Sequence, residues 1–254
     1  MIDIHSHVLP GLDDGSRSLE ESVAMLELAA GSGTTDIVAT PHANYQYPFD
    51  PALVDGKIAE LRAAAGTAVR IHPGCDFHLF RENIDDAVQF PARYTINHGK
   101  YLLVEFEEFI VGKTLHVALE RLQNAGLIPI ITHPERNSIL ARRPEDIQVL
   151  VDQGCLVQVT AQSFTGRFGR AARRTAERLL EVGLIHFVAS DAHDTDDRPP
   201  VLRPAYQWVA TRLSKEKADL LFVQNPAAVL QSGNIDLRTT REPGRLRKWY
   251  QFRR

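Results

Sequence analysis

The chain opens with Met1-Ile-Asp-Ile-His-Ser-His7, a short apolar stretch that ends in two histidines two positions apart. If this stretch is a β-strand, its side chains alternate between two sides, so His5 and His7 point to the same side. One metal ion could then bind both imidazoles. An H-x-H pair alone is weak evidence, because most such pairs on exposed strands bind nothing. The metal hypothesis therefore depends on whether other strands supply further ligands.

Six further apolar segments follow, several of them directly after a glycine, with polar residues at or near their carboxyl ends. The helix before the first of them begins with a predicted capping box, Ser18-Leu-Glu-Glu21, and ends near Gly33. The apolar segments are residues 36–40, 69–71, 102–106, 127–132, 155–159 and 184–189. Near-continuous apolar strands that alternate with helices are typical of a parallel sheet covered on both faces. With residues 1–4, the sequence predicts seven parallel strands in an α/β fold.

The polar residues near the strand ends favour a barrel over an open doubly wound sheet. A barrel brings the carboxyl ends of all its strands around one mouth, where barrel active sites lie, whereas an open sheet spreads them along an edge. The residues concerned are His5, His7, His42, Asp76, Glu105, His133, Asp191 and His193. We therefore predict a barrel of seven or eight strands as a single domain over residues 1–236. In a closed barrel the first and last strands are neighbours, so His5, His7 and Asp191 are expected around one ion.

Composition excludes several classes of function. The 254 residues are 44% hydrophobic and 24% charged, which is ordinary for a globular protein. A net charge of −3 gives no case for nucleic-acid binding. The two cysteines, Cys75 and Cys155, cannot form a disulfide framework and fit a reducing compartment. The first residues lack the pattern of a signal peptide, and no apolar run approaches the roughly 18 residues of a membrane span. We expect a cytoplasmic protein.

Residues 237–254 have a different composition and are predicted to form a basic C-terminal tail. Two readings stay open: the tail is solvated and packs its aromatic rings on the barrel, or it makes weak contact with an anionic membrane surface or an acidic partner. Its cationic and aromatic residues are Arg238, Arg241, Arg245, Arg247, Lys248, Arg253, Arg254, Trp249, Tyr250 and Phe252.

The strand-end residues have the chemistry of metal ligands. Imidazole and carboxylate together suit Mn, Fe or Zn better than Ca or Mg, which prefer oxygen alone. Asp13-Asp14-Gly15 adds carboxylates on the loop after the first strand, where the glycine permits a tight turn. Because one ion takes about four to six ligands, this number of candidates indicates two or three ions.

The order of the motifs resembles a known family. They are His5-Ser-His7, Asp13-Asp-Gly15, Ala39-Thr-Pro-His42, Val104-Glu-Phe106, Thr132-His-Pro-Glu-Arg136, Ala189-Ser-Asp-Ala-His193 and Asp197-Arg-Pro-Pro200. In this order they resemble the polymerase-and-histidinol-phosphatase (PHP) superfamily, and more narrowly the manganese-dependent tyrosine-protein phosphatases of bacterial capsule and exopolysaccharide operons. The resemblance covers about residues 1–230. It implies a distorted (β/α)7 barrel with a trinuclear metal centre, with manganese foremost and iron or zinc as alternatives.

The resemblance also implies the roles of single residues. The metal ligands would be His5, His7, Asp14, His42, Asp76, Glu105, His133, Asp191 and His193. The family pattern has a glutamate at position 76, where the carboxylate bridges two ions. Since the side chain of Asp76 is one methylene shorter, the metal spacing or occupancy at this position is open. His78, two residues further on, either assists the site or lies at the surface.

Two arginines, Arg136 and Arg198, match arginines that the family uses to hold phosphate. Planar guanidinium groups bind phosphate oxygens in bidentate fashion and stabilise the charge of the transition state. The implied reaction is hydrolysis of phosphotyrosine in a protein by a hydroxide that the metal ions activate. The implied partner is a bacterial tyrosine kinase that regulates polysaccharide synthesis. Sequence alone gives neither the metal identity nor the oligomeric state.

Other functions remain possible at this stage. One is a PHP-type phosphatase for a small molecule such as histidinol phosphate, although no inserted substrate domain is evident. Another is a metal-binding regulatory module with weak activity, which only Asp76 supports. The C-x5-R pattern from Cys75 to Arg81 matches cysteine-dependent tyrosine phosphatases. Its bulky intervening residues, such as Phe77 and Phe80, do not suit a phosphate-binding loop, so we reject a catalytic Cys75.

Three further residues could take part in the site. Asp3 lies on the same side of the first strand as His5 and His7, and could accept a hydrogen bond from a histidine ring. Tyr45 and Tyr47 follow His42 on a loop. They could flank a phosphotyrosine ring, or they could simply pack against the protein.

Overall fold

The structure is a computed structural model that describes residues 1–66, 68–106 and 112–235. Its strands are Ile2–Ser6 (β1), Asp36–Ala39 (β2), His42–Ala43 (β3), Arg70–Pro73 (β4), Asp76–His78 (β5), Tyr101–Glu105 (β6), Ile128–Thr132 (β7), Leu156–Thr160 (β8) and Phe187–Ala189 (β9). Every strand pairing between them is parallel. The prediction of a parallel-strand α/β fold is confirmed.

Helices follow most strands and cover the sheets. The α-helices are Leu19–Gly31 (α1), Pro51–Ala65 (α2), Arg81–Gln89 (α3), Lys113–Asn124 (α4), Pro144–Asp152 (α5), Ala161–Thr165 (α6), Gly169–Glu181 (α7), Arg203–Arg212 (α8), Lys215–Asp219 (α9) and Asn225–Leu230 (α10). Short 3-10 turns lie at Pro91–Arg93, Ile96–His98 and Leu140–Arg142, and a π-helical turn lies at Leu220–Gln224. Within the described ranges, none of these helices combines the length and the apolar character needed to cross a bilayer.

The strands form two sheets, in the orders β1-β2-β4 and β3-β5-β6-β7-β8-β9. Two of the described strands, β3 and β5, were not predicted. The predicted strands 36–40 and 69–71 correspond to β2 and β4, and after a break of two residues each is followed by one of these short strands. Gly74 lies at the second break, where an added Cβ would come within 2.6 Å of the Val38 side chain and 3.1 Å of the Thr40 side chain. The missing side chain therefore lets two strand paths approach closely where both change sheets.

The first and last strands lie side by side, as predicted. Ser6 forms an isolated parallel bridge with Ala192. The backbone N–H of Asp191 donates to the carbonyl of His5, and the N–H of His7 donates to the carbonyl of Ala192, each over 2.8 Å. These bonds connect residues from opposite ends of the described chain, and they place the H-x-H and D-x-H motifs next to each other.

Asp3 has a backbone role instead of the predicted histidine contact. Its Oδ1 accepts from the backbone N–H of Ser190 over 3.0 Å and from that of His5 over 3.4 Å. Burial raises the pKa of this carboxyl to about 6. Asp3 therefore fixes β1 against the end of β9 and leaves the imidazole rings to other partners.

The core beneath the strand ends joins the two sheets. One buried cluster takes side chains from both of them: Ile4, Val38, Leu103, Ile130, Leu156 and Phe187. Each fully buried aliphatic or aromatic side chain contributes about 1.5–3 kcal/mol of transfer free energy. Two further clusters pack the outer faces of the sheets against the helices. The strand ends that carry the polar residues are thus held by apolar packing on both sides.

The predicted capping box is half present. The Ser18 hydroxyl accepts from the N–H of Glu21 over 3.2 Å, so Ser18 caps α1. The Glu21 carboxylate instead accepts from the backbone N–H of Arg17 over 2.8 Å and pairs with its guanidinium. The predicted basic tail, residues 237–254, lies outside the described residues, and the boundary at 236 stays a prediction.

Candidate metal centre

His5 in β1 and His7, directly after that strand, converge on one carboxylate. Both His5 and His7 are fully buried, and their Nε2 atoms lie 3.3 Å apart. Each of these nitrogens lies 3.5 Å from Oδ1 of Asp191. The expected grouping of His5, His7 and Asp191 is therefore present.

The loop after β1 folds back onto His7 because of a glycine. An added Cβ at Gly15 would lie 2.2 Å from the carbonyl oxygen of His7 and 2.5 Å from its Cβ, so no larger residue fits. This return brings Oδ1 of Asp14 to 3.3 Å from Nε2 of His42 and 3.6 Å from Nε2 of His193. His7, Asp14, His42 and His193 have ligand atoms within 4.8 Å of one another and form the first possible metal site.

Strand register builds the second possible metal site. In the β3–β5 pair His42 lies opposite Asp76, and in the β5–β6 pair His78 lies opposite Glu105. Nδ1 of His42 is 3.0 Å from Oδ2 of Asp76, and Nε2 of His78 is 3.1 Å from Oε2 of Glu105. These four residues also have ligand atoms within 4.8 Å. His78 therefore belongs with the site residues and is not a surface residue.

Asp76 connects the second site to a third, which consists of His5, His7 and Asp76. Its Oδ2 lies 3.7 Å from Nε2 of His5. A side chain shared by two groups of ligands has the placement of a bridging carboxylate. His133 completes the set, since its ring stacks on His5 at 5.8 Å and its Nε2 is 3.7 Å from Oε1 of Glu105. All nine residues predicted as metal ligands thus lie in one cluster.

In the described part of the chain, two carboxylates of this cluster, those of Asp76 and Glu105, lack the hydrogen-bond partners that buried charges require. Among the described residues, neither oxygen of Asp76 nor Oε2 of Glu105 takes part in a hydrogen bond of acceptable geometry. Burial favours the protonated form of Asp76, yet the adjacent His5 and His42 hold the pKa of its carboxyl well below the ordinary value. Burial and the negative Asp76 raise the pKa of Glu105. Buried imidazole and carboxylate groups that lack other partners fit divalent cations of the Mn, Fe or Zn type.

The pKa values of the histidines respond to the negative charge of the carboxylates in the cluster and to burial. Burial opposes protonation of His5, but Asp191 and Asp76 raise its pKa to about 9. Burial likewise opposes protonation of His42, whose pKa rises to about 11 beside Asp14 and Asp76. Burial lowers the pKa of His193 to about 3, and His7 acts in the same direction. In the protein alone, protons on some histidines therefore balance the carboxylates, which is the charge that bound cations would supply.

Two residues that orient the imidazoles were missed by the sequence reasoning. Nδ1 of His7 lies 2.6 Å from Oδ2 of Asp13, and Nδ1 of His5 lies 3.0 Å from Oε1 of the buried Gln158. Such partners fix the ring so that Nε2 points into the cluster, where it would be available to a metal ion. A signal was available for Gln158, because it is the polar residue inside the apolar segment 155–159.

The two predicted phosphate-binding arginines meet at Asp191. Nη1 of Arg136 and Nη2 of Arg198 both contact Oδ2 of this residue, the second over 2.6 Å. Their guanidinium carbons lie 4.3 and 5.9 Å from the ring centre of Phe168. About a quarter of each arginine side chain is exposed, 25% for Arg136 and 23% for Arg198. Both cations therefore lie at the opening of the cluster, where an incoming phosphate could reach them.

Backbone strain marks the same place. Asp191 has φ +52° and His133 has φ +32°, a region that residues other than glycine rarely adopt. Each such residue costs about 1–3 kcal/mol and persists only where the surroundings impose it. His133 follows β7 directly and Asp191 lies two residues after the end of β9, and at both places the turn directs the side chain into the cluster.

The remaining candidates take different positions. Cys75 is fully buried, and burial raises the pKa of its thiol well above the ordinary value, which is consistent with its rejection as a nucleophile. Tyr45 stacks on Phe80 with ring centres 4.0 Å apart and is 77% exposed. The ring of Tyr47 lies 6.1 Å from that of His42. These aromatic rings lie on the His42 side of the cluster.

Comparison with known proteins identifies relatives along almost the whole chain. A tyrosine-protein phosphatase YwqE of Bacillus subtilis is 32% identical over 256 residues, which cover 99% of this chain and all of the relative. A tyrosine-protein phosphatase CpsB of Streptococcus agalactiae is 31% identical over 245 residues, 92% of this chain and all of the relative.

Solved structures give the same result. A structure from work on YwqE of Bacillus subtilis and CpsB of Streptococcus pneumoniae, described as unique metal-dependent tyrosine phosphatases, matches with a TM-score of 0.87 at 32% identity. The match covers 96% of this chain and 98% of that one. A histidinol phosphate phosphatase of Lactococcus lactis shares the fold, with a TM-score of 0.59 at 14% identity over 87% of this chain and 94% of that one. Residues 1–231 match the family model described as capsular polysaccharide synthesis, CpsB/CapC. This chain belongs to the CpsB/CapC family.

Proposed function

We propose that this protein is a metal-dependent phosphatase that hydrolyses phosphotyrosine in proteins. The observation that carries the proposal is the convergence of nine candidate ligands and two arginines at a single opening, where both arginines contact Asp191. Relatives of full length in the same family are named tyrosine-protein phosphatases. Their matched solved structure is described as metal-dependent.

The three overlapping groups of ligands support two or three divalent ions, with manganese foremost and iron or zinc as alternatives. His7, Asp14, His42 and His193 would hold one ion, and the group around Glu105 would hold another. Asp76 would connect neighbouring ions. Such ions supply Lewis acidity toward phosphoryl oxygens and activate water near neutral pH.

The residues of the chain then bind and orient the substrate. Arg136 and Arg198 would exchange their contact with Asp191 for non-bridging oxygens of the phosphate and stabilise the charge that develops on them. Phe168 lies against both guanidinium groups and holds them toward the opening. The tyrosine phenolate has a conjugate-acid pKa of about 10, so it can leave without a strong general acid. The reaction requires no covalent intermediate on Cys75.

We also propose that residues 1–236 form one distorted barrel of seven strand paths. The pairing of β1 with the end of β9 supports closure, and β2–β3 and β4–β5 each count as one interrupted path. In such a barrel the ligands surround one mouth. The family description and the two buried free cysteines support a cytoplasmic enzyme that acts on a bacterial tyrosine kinase of capsule or exopolysaccharide synthesis.

Hydrolysis of a phosphotyrosine peptide and of histidinol phosphate, with added manganese and after chelation, tests the proposal. We expect turnover of the peptide that requires manganese and is lost with chelator. Turnover of only histidinol phosphate would make the protein a small-molecule phosphatase. No turnover of either substrate in a protein that binds metal would favour a regulatory module. Activity that survives complete chelation would contradict the metal mechanism and reopen the case for Cys75.

A further inference from the structure

An arginine-lined cavity lies next to the opening of the metal centre. Its volume is about 620 Å³, and Arg136 and Phe168 form part of its wall. The same two residues face the cluster, through Asp191 and through the stacked guanidinium groups. Three further arginines line the cavity: Arg142, Arg174 and Arg178. The cavity therefore adjoins the opening through Arg136 and Phe168, and four arginines line it.

The cavity has more cations than its own structure can balance. Arg142 and Arg174 are exposed, and within residues 1–66, 68–106 and 112–235 neither side chain forms an ion pair with a carboxylate. The acid in the wall, Glu135, is buried and its Oε1 accepts from Ser163 and from the N–H of Thr160. No described carboxylate therefore neutralises Arg142 or Arg174.

We propose that this cavity binds acidic side chains that flank the phosphotyrosine in the substrate protein. The inference rests on the proposed function and adds a reason why the enzyme would prefer some phosphotyrosine sites in proteins over others. With its phosphate at Arg136, a peptide would continue past Phe168 into the cavity. Carboxylates there would meet Arg142 and Arg174 in charge-assisted hydrogen bonds. The chain would therefore select phosphotyrosine sites in acidic sequence.

Two phosphotyrosine peptides test this preference, one flanked on both sides by glutamates and the other by glutamines. We expect the manganese-loaded protein to show a kcat/KM about tenfold higher for the glutamate peptide, with the difference in KM. The ratio of kcat/KM for the glutamate peptide to kcat/KM for the glutamine peptide should fall to about one in the double variant Arg142→Ala/Arg174→Ala. Arg173→Ala is the matched control, because Arg173 lies on the same helix, pairs with Glu177 and does not line the cavity. It should keep the wild-type ratio.

Equal kcat/KM for the two peptides in the wild type would overturn the inference, as would an unchanged ratio in the double variant. A second readout needs no turnover: fluorescence anisotropy of the same peptides with phenylalanine in place of phosphotyrosine. Tighter binding of the glutamate peptide that requires Arg142 and Arg174 supports the cavity even in a protein that hydrolyses nothing. In that case the proposed phosphatase activity alone would fail.

Discussion

Two polar clusters, one on β2 and β4 and the other beyond the carboxyl ends of these strands, differ in how their charges are balanced. At the amino ends of β2 and β4, Asp36 accepts from Nε and Nη2 of Arg70 over 2.8 and 2.6 Å, and lies 2.9 Å from Nε2 of His72. The Thr35 hydroxyl donates to the same carboxylate over 2.8 Å. Both Asp36 oxygens thus have partners within the protein.

Beyond the carboxyl ends, the metal cluster combines the same residue types without such balance. Asp76 has no hydrogen bond of acceptable geometry among the described residues, although histidine nitrogens lie close to it. A buried carboxylate with its own hydrogen-bond partners stabilises the fold, whereas one that lacks them requires a ligand. The contrast distinguishes Asp36, whose carboxylate has partners within the protein, from Asp76, which we propose as a metal ligand.

The largest expected effect comes from Asp76→Asn, which removes a charge from the unbalanced cluster. We expect phosphotyrosine-peptide turnover to fall by at least about 100-fold, because removal of a ligand costs more than removal of a residue that merely orients one. Metal content, measured by inductively coupled plasma mass spectrometry, should fall as well. Unchanged turnover with full metal content would show that Asp76 is not a ligand.

Arg136→Lys should have the next largest effect, since lysine keeps the charge but loses the planar fork that binds two oxygens. We expect kcat/KM to fall by about 100-fold, the usual cost of removing one preorganised donor to the transition state. The metal content should stay at the wild-type value, which distinguishes this variant from Asp76→Asn. Arg198→Lys provides the matched comparison, and a variant that loses metal together with activity would contradict a phosphate-binding role.

Asp36→Asn applies the same chemical change to the balanced cluster and should give the opposite pattern. The amide cannot accept all the bonds that the carboxylate accepts, so we expect a loss of about 1–3 kcal/mol in the free energy of unfolding. The kcat should be retained. Denaturant unfolding together with peptide kinetics measures both. Lost activity in a protein of normal stability would mean that the two clusters do not differ as described.

Metal binding should release protons, because the folded, metal-free protein holds protons on histidines that must become ligands. The pKa of His5 is raised to about 9, above its unfolded value, through the charges of Asp191 and Asp76. This contribution stabilises the metal-free fold fully below about pH 6.5 and is lost as pH rises through about 9. Between these values the apparent metal affinity should rise about tenfold per pH unit for each proton displaced.

Calorimetric titration of manganese at pH 7.5, in buffers of different ionisation enthalpy, counts the protons released. We expect at least one proton per protein. A heat of binding that does not depend on the buffer would contradict the protonated histidines.

Asp76→Glu should have the smallest effect, and it tests whether the side chain at position 76 bridges two metal ions. Glutamate restores the residue of the family pattern, and its longer side chain can still reach between the two groups of ligands. We expect equal or higher activity in the peptide assay. A collapse in turnover would show that Asp76 does not occupy the bridging position.

Sequence reasoning predicted the parallel α/β fold and the cluster of ligands because both depend on local patterns. Apolar segments identified strands, and polar strand ends identified ligands. It did not predict the breaks at residues 40–41 and 74–75, since these depend on how closely Gly74 approaches Val38 and Thr40. Nor did it predict that Asp3 binds backbone, because the alternation of a strand gives the side of a residue and not its partner.

The pairing of each orienting residue with its histidine could not be predicted from the sequence either. Asp13 and Asp14 are adjacent, so the sequence does not tell their roles apart. In the structure the loop folds back at Gly15, which places Asp13 against His7 and Asp14 near His42 in the cluster. Gln158 meets His5 from a strand 153 positions away. Such pairings are set by register between distant strands, which a single sequence does not specify.

The bridge between Ser6 and Ala192 has a consequence during synthesis of the protein. His5 and His7 are translated long before their carboxylate partner Asp191, which follows His7 by 184 residues. Contacts between such distant positions form late and slowly. The complete metal centre therefore cannot assemble until Asp191 and His193 have been translated, and a ribosome-bound fragment that ends before Asp191 should not act on phosphotyrosine.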